Sequence, residues 1–77
     1  MTFQLLDSVV LVRDLPDHGL KTGDLGAVVE VYPPDGLEIE FVTASGRTQV
    51  VATVRNQDVR KTRDGDLMAV RSVDETA

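Results

Sequence analysis

The stretch GLKTGDLGAVVEVY, residues 19–32, runs from a polar loop straight into an apolar strand. Leu20 is an apolar side chain in a polar setting, so it is expected to fold back onto a core. Gly23 and Gly26 are expected where the chain turns sharply, because glycine alone takes positive φ at no steric cost. Residues 27–32 are rich in β-branched and aromatic side chains and read as a strand. Its expected phase buries Ala27, Val29 and Val31, since the opposite phase would bury Glu30. Val28, Glu30 and Tyr32 then face outward.

Working outward from that strand, residues 8–15 (SVVLVRDL) read as an earlier strand and residues 15–19 (LPDHG) as a loop. Pro33, Pro34, Asp35 and Gly36 form the clearest turn in the chain. Residues 37–42 alternate strictly: Leu37, Ile39 and Phe41 on one face, Glu38 and Glu40 on the other. Residues 43–46 read as a hairpin loop and residues 47–54 as its return strand. A four-residue loop places Val42 opposite Arg47, Ile39 opposite Val50, Leu37 opposite Ala52, Glu40 opposite Gln49 and Glu38 opposite Val51. Asn56, Gln57 and Asp58 suggest a single helical or 3-10 turn, and residues 59–62 a short closing strand. Residues 63–66 read as a turn. The apolar content of residues 67–73 suggests one further strand or helical turn, and residues 74–77 are expected to fray.

Five short strands at roughly ten-residue spacing, with no long amphipathic helix, indicate an all-β fold. At this size the expected architecture is a partly open, five-stranded SH3-like barrel over residues 1–62. A 3-10 turn precedes its last strand, and residues 63–77 form a tail.

Composition narrows the possible functions. Seventy-seven residues make one domain with a thin core, because a chain this short buries only about 60% of its unfolded surface. There is no cysteine, so neither disulfides nor thiolate metal sites are available. No signal peptide is recognisable, and no segment approaches the ~20 apolar residues that span a bilayer, so a cytoplasmic protein with no membrane partner is expected. The net charge of −5 opposes phosphate backbones. Acidity is concentrated before residue 55; from Arg55 onward, five basic residues meet five acidic ones.

The pieces Leu5-Leu6-Asp7, Asp14-Leu15-Pro16, His18-Gly19-Leu20, residues 23–32 (GDLGAVVEVY) and residues 38–42 (EIEFV) occur in an order that resembles a family of small bacterial proteins catalogued as a domain of unknown function. The resemblance covers residues 5–61 and implies an SH3-type barrel; it brings no catalytic residues with it. Residues 23–31 are also similar, over a shorter span, to the loop-strand start of translation-associated barrels that contact RNA.

No enzyme chemistry is expected. His18, the only histidine, lies between Pro16 and Gly19 with no cysteine and no distinctive serine motif to activate, which favours a surface or loop-packing role. Asp64-Gly65-Asp66 supplies too few oxygen ligands for a calcium cage and reads as a turn. Gly23-x-x-Gly26 is not a phosphate loop, because no lysine and hydroxyl pair follows it before a helix. No catalytic residue, cofactor or metal ligand is therefore expected.

Two kinds of binding role remain. One is a protein-interaction module whose outer face carries Glu30, Tyr32, Glu38, Glu40 and Val51 and receives a basic protein, as the antitoxin or immunity half of a toxin pair would. The competing reading of that face is simple solubilisation. The other role is a nucleic-acid-binding barrel using Arg55, Arg60, Lys61 and Arg63. The blander reading of that cluster, a charged last strand that discourages edge-to-edge association, is preferred. Three aromatic residues are too few for a proline-rich peptide groove or a base-stacking platform. Self-association remains open.

Overall fold

The structure, a computed structural model, describes residues 2–73. Five antiparallel strands build one sheet: β1 (Ser8–Leu11), β2 (Leu25–Tyr32), β3 (Gly36–Val42), β4 (Thr48–Arg55) and β5 (Val59–Lys61), in the order β4-β3-β2-β1-β5. Two 3-10 turns complete the regular structure. One, Asn56–Asp58, stands directly before β5 as expected; the other, Pro16–His18, lies in the loop before β2. The all-β class, the five strands and the 3-10 turn before the last of them agree with the sequence reading.

The core is the inner face of this sheet. Val9, Leu11, Val28, Leu37, Ile39, Phe41, Ala52, Val54 and Val59 are buried there, joined by Phe3 from the N-terminal lead-in and Leu20 from the loop. The strict alternation of β3 therefore reads correctly: Leu37 and Ile39 are completely enclosed and Phe41 nearly so.

Strand β2 departs from its expected phase. Val28 pairs with Ile39 and Glu30 with Glu38, leaving Val29 as the extra residue of a bulge. Up to Val28 the strand turns Gly26 and Val28 inward; after the bulge it turns Val31 inward and Glu30 and Tyr32 outward. Val28, expected outside, is fully buried, whereas Ala27 and Val29, expected inside, are only half-buried. An unbroken strand would have had to turn either Glu30 inward or Gly26 and Val28 outward; one additional residue avoids both.

The β3–β4 hairpin is offset by two residues from the expected register. Ile39 pairs with Ala52, Leu37 with Val54, Glu40 with Val51 and Glu38 with Thr53. One residue of the offset comes from the loop, where Thr43 N–H donates to Arg47 O at 2.9 Å and Val42 first pairs with Thr48. The other comes from a bulge between Phe41 and Val42 that leaves Gln49 unmatched. An even offset preserves the faces, so the inward and outward residues of β3 and β4 are unchanged.

Gly26 has another role than the expected turn. It is buried within β2, and a Cβ there would stand 2.5 Å from Ile39 Cγ2, 2.9 Å from Glu40 O and 3.0 Å from Phe41 Cδ1. Turning is done by Gly19 and Gly23, at φ 69° and 95°. Across the turn that contains Gly19, Leu15 and Leu20 exchange backbone hydrogen bonds of 2.9 and 3.1 Å, which drives Leu20 into the core. Asp14 Oδ1 accepts from the Thr22 N–H at 2.8 Å and from its hydroxyl at 2.9 Å, and these bonds, the backbone one foremost, hold the Asp14 carboxyl below its usual range.

Strand β1 ends at Leu11 rather than continuing to residue 15; one further bond in the register of the β1–β5 ladder, Val12 N–H to Asp58 O at 2.9 Å, follows it. Asp58 is the one buried charged residue among those described. Its carboxylate accepts from the Arg55 N–H at 3.0 Å, capping the 3-10 turn, and from Arg13 at 3.4 Å. Closing strand β5 covers three residues, and Thr62 contributes only a bond from its N–H to Ser8 O at 3.2 Å.

The tail forms neither strand nor helix through residue 73, contrary to expectation; residues 74–77, expected to fray, lie outside the described residues. Its anchor is Arg71, whose guanidinium donates to the two Asp24 carboxylate oxygens at 2.8 and 2.6 Å and to Gly19 O at 3.1 Å. Residues 69–73 thereby roof a groove of about 820 Å³ whose floor includes Leu20, Leu25, Phe41 and Val42.

Two expectations can be measured. Gly26→Ala should lower unfolding free energy by about 1–3 kcal/mol, because the methyl has no space between β2 and β3; urea denaturation compared with an Ala27→Gly control checks it. The Arg71 hydrogen bonds hold the Asp24 carboxyl below its ordinary value of 3.8. A carboxyl depressed by folding stabilises above its unfolded pKa, and that contribution is lost as pH falls through the folded value. Docking of residues 67–73 should thus be constant from neutrality down to about pH 4 and released below it. Arg71→Ala should abolish docking at every pH; backbone NMR relaxation of those residues reads both.

Candidate functional site

The outer face of the sheet gathers the charges that alternation placed there. Across β2, β3 and β4 one rung reads Glu30, Glu38, Thr53, and the next reads Ala27, Glu40, Val51. Tyr32 follows Glu30 on β2, half-exposed at 48%, and Val51 is exposed at 43%. The residues singled out from the sequence, Glu30, Tyr32, Glu38, Glu40 and Val51, therefore lie on neighbouring strands of one face. Val28 does not join them.

Glu30 and Glu38 are directly opposed, an arrangement that costs stability because like charges face each other across the ladder. What relieves it is neutral. The Tyr32 hydroxyl donates to Glu38 Oε1 at 3.4 Å, the Thr48 hydroxyl donates to Glu40 Oε2, and the Val31 N–H donates to Glu30 Oε1 at 3.2 Å. Four of the cations pair elsewhere, Arg13 with Asp58, Arg60 with Asp66, Lys61 with Asp7 and Arg71 with Asp24, and no ion pair among the described residues involves Glu30, Glu38 or Glu40. The three carboxylates therefore have no ion-pair partner among the described residues, and the nearest cation by register is Arg55, in the rung of Tyr32 and Gly36. Together with local desolvation, which acts first, the charges of Glu38 and Glu30 push the Tyr32 hydroxyl above its ordinary pKa of 10.0.

Beside Tyr32 the surface dips into a hollow of about 200 Å³ lined by Phe3, Val31, Pro33, Pro34, Leu37 and Asn56. The Oδ1 atom of Asn56 is buried with no hydrogen-bond partner among the described residues. Nothing in the sequence pattern announced this hollow, since it depends on Phe3 and Asn56, which are far apart in the chain, meeting beneath the turn at Pro33 and Pro34.

Of the four basic residues singled out from the sequence, Arg60 and Lys61 are paired with carboxylates. Arg60 forms a two-point contact with Asp66 at 2.9 and 3.1 Å, and this pairing, with a further bond from the Arg63 N–H, holds the Asp66 carboxyl below its usual range. Lys61 Nζ stands 3.5 Å from Asp7 and 5.9 Å from the Phe3 ring centre. Arg55 belongs to β4 and Arg60 and Lys61 to β5, at opposite ends of the strand order, while Arg63 lies in the turn beyond. Asp66, read from the sequence as part of a plain turn, is thus the residue that occupies Arg60.

His18 is exposed in its 3-10 turn. Among the described residues no group of three or more His, Asp or Glu side chains is placed to hold a metal ion, and no helix is long and apolar enough to cross a membrane.

No curated protein and no solved structure matches the chain. A family described as Domain of unknown function (DUF4926) matches residues 5–61, from the lead-in before β1 to the end of β5, and stops where the tail begins. The match takes in every strand and the whole outer face, so the chain belongs to this family.

Proposed function

We propose that the protein is a non-enzymatic interaction module that receives a basic protein partner on the face of Glu30, Tyr32, Glu38, Glu40 and Val51. The observation that carries this reading is the opposed pair Glu30 and Glu38, extended by Glu40, with no cation of the described residues engaging any of the three. A partner supplying lysine or arginine would relieve a repulsion that the isolated domain retains, and electrostatic complementarity of this kind speeds encounter and selects the partner. Tyr32 and Val51 add apolar area, and the adjoining hollow offers a seat for a single side chain. The biological setting we favour is cytoplasmic, with this chain as the neutralising half of a toxin pair, because basic nucleases are partners that an acidic face of this size suits.

By contrast, Arg60 and Lys61 are already paired, which weakens the reading as a nucleic-acid-binding barrel.

The test is a pull-down from the native host with wild type and with a variant carrying Glu30→Lys, Glu38→Lys and Glu40→Lys together. Wild type should retain a basic protein, and the folded variant should lose at least about tenfold of it, the equivalent of a single charge-assisted contact. Equal recovery by the two would remove this face from consideration.

A further inference from the structure

Strand β4 ends the sheet with one side unpaired. It runs for eight residues, Thr48–Arg55, pairs only with β3, and has no other backbone hydrogen bond among the described residues from Thr48 to Val54. The opposite edge strand, β5, is only three residues long, a common way of blunting an edge. Beyond the bulge at Gln49, the edge from Val50 to Val54 has none of the usual protections: it carries no proline and no charged residue. Its sequence, TQVVATVR, is largely β-branched and well suited to further pairing.

We propose that this edge accepts an extended basic peptide segment as a sixth, antiparallel or parallel strand; the proposal rests on the interaction reading above and specifies how the partner binds. The occupant is identified by charge. A strand added to β4 lies two strand spacings, about 10 Å, from β3. Its outward side chains fall in the same rungs as Thr53 with Glu38 and Val51 with Glu40. Lysine or arginine at alternate positions would lay its aliphatic stem across Thr53 or Val51 and set its charge against Glu38 or Glu40. That use accounts for a valine standing 43% exposed between a free edge and a carboxylate. Arg47 and Arg55 flank the edge and would repel a longer basic segment, so the site is matched to at most the seven residues, Thr48 to Val54, between them. Binding of this type draws affinity from main-chain hydrogen bonds and selectivity from every second side chain.

The experiment uses the full chain, isotope-labelled, titrated with an acetylated hexapeptide of alternating lysine and valine, and separately with the same peptide N-methylated at alternate amides. The unmodified peptide should shift the amides of residues 48–53, and methylation should weaken it by at least about tenfold, because backbone donors are lost. Glu38→Gln with Glu40→Gln should weaken the unmodified peptide by a comparable factor while leaving the same amides as the ones that respond. If the methylated peptide binds equally and the double variant still weakens it, strand addition is refuted while the acidic face stands as a docking surface. If neither peptide perturbs the face or the edge, both proposals fall. If the β4 amides shift with protein concentration alone, the edge pairs with a second copy, and the peptide as occupant is refuted.

Discussion

The contact on which the fold turns is the approach of β2 to the side chains of β3 at Gly26. Ile39 and Phe41 reach across the space where any other residue would carry its Cβ. Those two side chains occupy the middle of a core that is thin throughout, so the absence of one carbon lets three strands share a single apolar layer. Leu20, brought in by the loop before β2, packs into the same cluster. Loop, strand and hairpin are therefore held through one place.

The outer face is a consequence of the same constraint. Once Leu37, Ile39 and Phe41 point in, Glu38 and Glu40 must point out, and Glu30 is brought against Glu38 by the pairing of β2 with β3. Stability of the isolated domain would be better served by a lysine at any of the three positions. The chain has eight basic residues and aligns none of the described ion pairs there. Four of its cations instead hold the periphery: Arg13 serves the 3-10 turn before β5, Arg60 and Lys61 fasten β5 to the segments around it, and Arg71 ties down the tail. The described ion pairs thus all lie away from Glu30, Glu38 and Glu40.

How far this was legible from the amino-acid order depends on the length scale of the physics involved. The period-two pattern of residues 37–42 is local, so the inward and outward sets of β3 followed from it directly. The same holds for the turn at residues 33–36 and for the 3-10 turn before β5. The bulges at Val29 and Gln49 are not local: each is decided by what the neighbouring strand presents, and a run such as Ala27-Val28-Val29 offers two phases of nearly equal hydrophobicity. Gly26 was misread because a glycine needed for space and a glycine needed for positive φ look identical in sequence. Asp58, Asp66 and Arg71 were missed as structural residues because their partners lie at separations that composition does not encode. The acidic face survived these errors since the hairpin register moved by two and the β2 phase changed only before the bulge.

The bulge at Val29 also bears on how this sequence can change length. Through β2 the inward residues are Gly26, Val28 and Val31, and the outward ones are Ala27, Glu30 and Tyr32, with Val29 supernumerary. Loss of Val29 alone would leave an unbroken alternation from Gly26 to Tyr32, with every remaining side chain on the face it now occupies. Loss of any other residue from Ala27 to Val31, the equivalent Val28 aside, would reverse one half of the strand or exchange an inward residue for an outward one. The strand thus contains a single valine's worth of slack, and length variation in relatives of this chain has one position at which β2 can absorb it without rebuilding the core.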